Sequence, residues 1–130
     1  MKPKIRPKSL ESQCDDLWYE IIKKRAGYRS ELSGVAGKQI GGRTILNAHH
    51  IMGKPNIRLL YELDNGICLA HGEHQFGVHH AGRAEEYRTK IIKHIGLTRW
   101  NKLLMLRRGY SKVSLKLIKI YLEQVLGELK

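Results

Sequence analysis

Six of the seven histidines, His49, His50, His71, His74, His79 and His80, lie between residues 49 and 80 of a 130-residue chain, where an even spread would put about two. Neutral imidazole is a poor core filler and a weak surface solubiliser, but it is the commonest metal ligand and general base near neutral pH. The same stretch carries strand signals. Thr44 to Ile51 reads as a strand and Gly66 to Leu69 as a second short apolar run, with Gly53 and Pro55 in the loop between them and Leu59 to Asn65 leading into the second. An antiparallel hairpin follows. Consecutive residues of a strand point to opposite faces, so His49 and His50 cannot both ligate one ion from the middle of a flat strand. Where the strand ends or twists they can flank one reacting phosphate, one imidazole holding a metal and the other polarising a water. His74 with His79 or His80 would close the protein side of that metal and leave positions open for substrate, as in a catalytic rather than a sealed structural site.

Outside this stretch the apolar spacing is helical. Ser12 and Asp15 fit a capping box, and Leu17, Trp18, Ile21 and Ile22 recur on one face until Gly27. Leu32 to Arg43 holds Gly34, Gly37, Gly41 and Gly42 and reads as turns or a short hairpin. Beyond residue 84, Tyr87, Ile91, Ile92 and Ile95 mark a helix that Gly96 stops, and Thr98 opens a second through Leu106. A third, Ser114 to Leu129, places Leu115, Ile118, Tyr121, Leu122, Val125 and Leu129 on one side. The expected fold is α+β, with one domain over residues 10–130, a hairpin core over about 44–83 and C-terminal helices over about 84–129. Residues 1–9 alternate Lys or Arg with Pro3 and Pro7 and read as a flexible basic arm.

Charge narrows the partner. Against 24 Lys and Arg stand 12 Asp and Glu, a formal +12, which attracts polyanions such as nucleic acid or acidic lipid; acidic proteins are not the expected substrates. Residues 81–130 hold 12 basic and 4 acidic groups and residues 32–80 only 4 and 3, so basic walls flank the histidine segment. A chain 42% hydrophobic and 28% charged is neither collagen-like nor mucin-like nor fully disordered. Cys14 and Cys68 sit in apolar, periodic settings and read as reduced thiols. No stretch approaches the roughly 18–20 apolar residues of a bilayer span, and the N-terminus lacks the apolar core of a signal peptide; a soluble, cytoplasmic protein without membrane contact is expected.

The run Ala48-His49-His50-Ile51, then Leu63-Asp64-Asn65-Gly66-Ile67-Cys68-Leu69, then His74 and a later His, resembles the HNH endonucleases. Helix one, with Leu17-Trp18 followed by Arg25 and Gly27, and the C-terminal helices look like the small free-standing HNH nucleases of phages and prophages. The resemblance implies a ββα-metal core with a helix before it and about three after it. It also implies a metal-dependent endonuclease that hydrolyses DNA and leaves 5′-phosphate and 3′-hydroxyl ends. His50 matches the general base, Asn65 the central Asn that braces the loop around it, and His49, His74 and His80 the metal ligands, with His79 the alternative to His80. One divalent ion is implied, Mg2+ first, with Mn2+, Ni2+ or Zn2+ as alternatives. The resemblance also implies double-stranded DNA as the partner, phage packaging or recombination machinery as a further one, and, for a phage-encoded chain, a bacterial host cytoplasm as the setting.

Many relatives carry two C-x-x-C pairs for a structural zinc ion. The matching positions here are Ser33 and Ala36, then Ala70 and Glu73, so no structural zinc is expected and packing should hold the scaffold instead. In that register His71 is a bystander. Arg83 is placed to help at the phosphate. The rival reading is a noncatalytic, metal-stabilised nucleic-acid-binding module, which needs no metal-adjacent base at His50; an accessory packaging protein or RNA binder would dispense with the cluster altogether.

Phosphate contacts by the arm, through Lys2, Lys4, Arg6 and Lys8, should be independent of sequence. Deleting residues 1–8 is expected to lower the slope of log affinity against log salt by at most about 4, equally for unrelated duplexes. A truncation that kept its affinity but lost a preference for particular sites would show that the arm reads bases.

Overall fold

The computed structural model describes residues 6–53, 56–73, 84–109 and 112–129. Helix α1 spans Leu10–Arg25. Its cap is Ser9, whose hydroxyl accepts the Ser12 amide at 3.1 Å, so Ser12 lies in the first turn and not at the boundary the sequence suggests. Leu10 and Cys14 extend the i, i+4 apolar spacing one turn upstream, which makes the earlier cap the one that covers the whole amphipathic face.

Strands β1 (Leu46–His50) and β2 (Gly66–Ala70) pair antiparallel, from Leu46 opposite Ala70 to His50 opposite Gly66. Thr44, expected in the strand, bridges Gly37 in the glycine-rich turn instead. The link between the strands is no simple loop. It contains a five-residue helix, α2 (Ile57–Tyr61), whose cap Asn56 accepts the Leu59 amide at 2.8 Å, and a single 3-10 turn over Leu63–Asn65. One helical turn is too short to show a period, which is why only the cap residue could have announced it.

Three further helices follow: α3 (Ala84–Ile95), α4 (Leu97–Arg108) and α5 (Leu115–Glu128). Gly96, at φ 87°, turns the chain between α3 and α4 in the left-handed region where a side chain is strained. On α5, Ile118 and Leu122 are buried, but Tyr121 is exposed rather than on the buried side. The stripe through residues 115, 118, 122, 125 and 129 keeps the 3-4 alternation of one narrow face, and Tyr121 stands at its flank. Among the described residues the fold is therefore α+β, five helices around one two-stranded sheet, and no helix is long and apolar enough to cross a membrane.

Both faces of the hairpin are covered. Leu46 and Cys68 pack with Cys14, Trp18, Ile21 and Ile22 of α1 and with Ile118 and Leu122 of α5. Ile67 and Leu69 meet Ile91 of α3 on the other face, and Met52, Leu59 and Leu103 form an adjoining cluster under α4. All five residues of β2 are buried, so it reads in sequence as a continuous apolar run without alternation. Each fully buried Ile or Leu here contributes about 1.5–3 kcal/mol.

Cys14 and Cys68 are buried, unpaired thiols. Burial, reinforced by the Glu31 carboxylate, pushes the Cys68 thiol up to about 11, and burial with Asp15 raises Cys14. A group harder to ionise in the folded than in the unfolded chain stabilises the fold while both forms are protonated, and that contribution is lost as pH rises from the ordinary 9.0 through about 11. Urea unfolding should show stability declining across that window, less steeply in Cys68→Ala. A thiol reagent should label neither cysteine in the native protein and both in urea; rapid labelling of native Cys68 would contradict its burial.

Candidate functional site

Strand alternation divides the histidine pair between the two faces. His50 lies opposite Gly66 on the α1 side, and its ring stacks on Trp18 with centroids 4.1 Å apart and planes 5° from parallel. The indole is held by Trp18 Nε1, which donates to the Glu62 carbonyl at 3.2 Å. Gly66 permits the approach, because a Cβ there would collide with Ile22 and Trp18. His50 Nε2 bonds to the Leu60 carbonyl at 2.9 Å. A carbonyl can only accept, so Nε2 carries the hydrogen and in the neutral ring the lone pair lies on Nδ1.

Asn65 is fully buried just before β2. Its Oδ1 accepts the Met52 amide at 2.8 Å, and its Nδ2 donates to the carbonyls of Leu59 at 2.9 Å and Met52 at 3.3 Å. The Ile51 amide donates to the Asn65 carbonyl at 2.8 Å. One side chain thus ties the segment leaving His50 to the helix whose Leu60 carbonyl receives the imidazole.

Two arginines grip this turn from opposite sides. Arg25 of α1 donates to Leu63 O at 3.1 Å and Gly66 O at 3.0 Å; Arg99 of α4 donates to Asp64 O at 2.7 Å and Gly66 O at 2.8 Å. Burial, and then the neighbouring Arg25, lower the Arg99 pKa against the pull of Asp64, while the hydrogen bond from Lys102 holds the Asp64 carboxyl below its usual range. In the sequence Arg25 figures only in the helix-one resemblance, and nothing there sets Arg99 apart from a solvated surface cation. Their role appears only once both reach one carbonyl.

His49 faces the other way, across from Ile67. It lines a cleft of about 270 Å³ with Ile51, Met52, Arg88, Trp100 and Arg107, and the Arg88 guanidinium lies over the Trp100 ring, 5.3 Å from its centroid. His71 accepts from Asn47 Nδ2 at 3.1 Å, and His94, outside the cluster, pairs with Glu31 at 3.1 Å.

Of the other expected site residues, His74, His79, His80, Arg83, Lys2 and Lys4 lie outside the described residues. Arg6 is exposed, and Lys8 pairs with Asp16 at 2.5 Å on the surface, a contact weak enough to yield to phosphate. Among the described residues no group of three or more His, Cys, Asp or Glu converges.

The segments that would carry zinc-binding pairs are joined by hydrogen bonds as well as packing. Buried Ser30 donates to Glu73 Oε2 at 2.6 Å, and the same oxygen accepts the Ala70 amide at 3.0 Å. Ser30 Oγ accepts the Leu32 and Ser33 amides, and Glu31 Oε2 accepts the Cys68 amide at 2.7 Å. This polar clasp fastens the turn to β2, where the sequence suggested apolar contact alone. The chain matches no protein-family model, no curated protein and no solved structure.

Removing the Asn65 side chain would leave the Met52 amide buried without its partner, at about 1–3 kcal/mol, and the Leu59 carbonyl with the longer bond from the Glu62 amide at 3.4 Å. Asn65→Ala is therefore expected to cost about 2–4 kcal/mol in urea unfolding, and Asn65→Asp, which puts a second acceptor against Leu59 O, at least as much. A variant within about 0.5 kcal/mol of wild type would show that the turn does not depend on Asn65.

Proposed function

We propose that this chain is a metal-dependent endonuclease of the HNH type that hydrolyses DNA phosphodiester bonds with His50 as general base. The observation that carries the reading is the setting of His50. Its ring is fixed by an indole face and its Nε2 hydrogen by a carbonyl, which leaves the basic nitrogen, Nδ1, defined in position and tautomer. Because β1 ends at His50, this is also the place where neighbouring side chains from opposite faces can both reach a group beyond the strand end. In this reading β1 and β2 are the hairpin of a ββα-metal core.

Hydrolysis asks for a water in line with the leaving oxygen and for a group to take its proton. His50 Nδ1 receives that proton as the water oxygen bonds to phosphorus; the bond to the 3′ oxygen breaks, and that oxygen takes a proton from solvent water to become a 3′-hydroxyl opposite a 5′-phosphate. Base catalysis of this kind contributes a factor of about 100–10,000. Asn65 acts as a positioning residue, holding Met52 and Leu59 and through them the helix that orients His50. His49, on the wall of a cleft with two guanidiniums, fits a ligand of an open site, and His74 with His80, or His79 in its place, would complete the set. The divalent ion, Mg2+ first, supplies positive charge against the phosphate and the leaving oxygen when bound. The formal +12 supports a polyanion such as duplex DNA as substrate, gripped without regard to sequence.

A nicking assay on supercoiled plasmid with Mg2+, Mn2+, Ni2+, Zn2+ or EDTA tests this. Cleavage should require metal, and EDTA should stop it while the far-UV helical signal persists. His50→Ala should lose at least about 100-fold in rate with duplex affinity within a few fold. Tight binding without turnover under every metal would establish the noncatalytic module instead, and undiminished cleavage by His50→Ala would remove the base assignment.

A further inference from the structure

Several cations near the sheet have partners within the fold. Arg25 and Arg99 are engaged by carbonyls, Lys102 by Glu62 and Asp64, and Lys90 by Glu86. Arg88 and Arg107 differ. They arrive from separate helices, α3 and α4, on the one cleft that His49 lines, and among the described residues neither has a carboxylate partner and the cleft wall holds no acid. The indole of Trp100 supports the Arg88 guanidinium through its face, a contact that restricts the side chain without using its N–H groups as donors to an oxygen. Two convergent guanidiniums suit the oxygens of a phosphate, and the apolar remainder of the wall, Ile51, Met52 and Trp100, suits the sugar attached to it.

We infer that this cleft seats a backbone phosphate of the bound DNA strand, adjoining the reacting one, with Arg88 and Arg107 as its binding groups and Trp100 as the support that orients Arg88. The inference takes its substrate class from the endonuclease reading. It adds the residues that fix the strand relative to His49.

The test uses the full chain carrying His50→Ala, in EDTA, with fluorescence anisotropy of a short fluorescein-labelled duplex across a salt series. Arg88→Gln and Arg107→Gln should each weaken binding severalfold, equally for unrelated duplexes, and lower the salt slope, the double variant by about 0.9 in all, the share of the one phosphate that both hold. Arg107→Lys, which keeps the charge, should keep the slope, and Lys116→Gln on α5 should change affinity less than either arginine variant. Both arginines are exposed, so their removal leaves the core intact, and unchanged far-UV spectra will show it. Binding by the Gln variants no weaker than that of Lys116→Gln would overturn the inference, as would loss of slope in Arg107→Lys equal to that in Arg107→Gln. Neither readout involves metal or turnover. A chain that fails the plasmid assay can still pass this test, and one that cleaves can still fail it.

Discussion

A two-stranded ribbon has no interior of its own, and in water it persists only where something covers it. Here the cover comes on both faces, α1 and α5 on one and α3 and α4 on the other, and most other features follow from that. It buries β2 throughout and separates two adjacent histidines into different surroundings. His50 is drawn against an indole in the α1 layer, while His49 faces the helices that bring Arg88 and Arg107. At Gly66 the helix comes close enough that no side chain fits between.

The turn before β2 is where the layers are joined. Asn65 meets the chain leaving His50 from within, and Arg25 and Arg99 meet the same turn from the two helical layers, both ending on the Gly66 carbonyl. Two guanidiniums on one oxygen is a costly arrangement for separate charges; the further carbonyls of Leu63 and Asp64, and the Asp64 carboxylate, offset it. The clasp of Ser30, Glu31 and Glu73 does comparable work at the other end of β2. Polar side chains and packing together define the strand, with Asn65 and the arginines before it, Glu31 on its middle and Glu73 at its end.

Much of this was legible in the chain. Apolar spacing located the hairpin and the four long helices, and strand alternation alone separated His49 from His50, because burial of one face imposes a period that the sequence must carry. What escaped had no period to show. The single-turn α2 is shorter than any window that could reveal it, and Ser9 and Ser12 offer the same hydroxyl chemistry three residues apart. Tyr121 falls at the margin of a stripe whose width only packing decides. The Trp18–His50 stack joins positions that no local rule connects, and Arg99 looks in sequence just like Arg88 and Arg107, although it is spent inside the fold and they are turned to a cleft. Asn65 was found through its neighbours in an Asp-Asn-Gly run, but the turn it forms is a 3-10 turn leading directly into a strand.

The partnership of α1 with α5 has a consequence in time. Cys14 donates to the carbonyl of Leu115, 101 positions away, and the apolar face of α1 is covered chiefly by α5. A chain made from its N-terminus therefore completes α1 long before the helix that shelters Cys14, Trp18, Ile21 and Ile22 exists. Closing so long a loop is slow, because its entropy is lost before the contact forms. Until α5 emerges, the side of α1 that carries Cys14 lacks its cover, while Glu62 and Gly66, the hairpin residues that hold Trp18, are already made. The core is thus closed by the last helix of the chain, after the residues around His50 are all in hand.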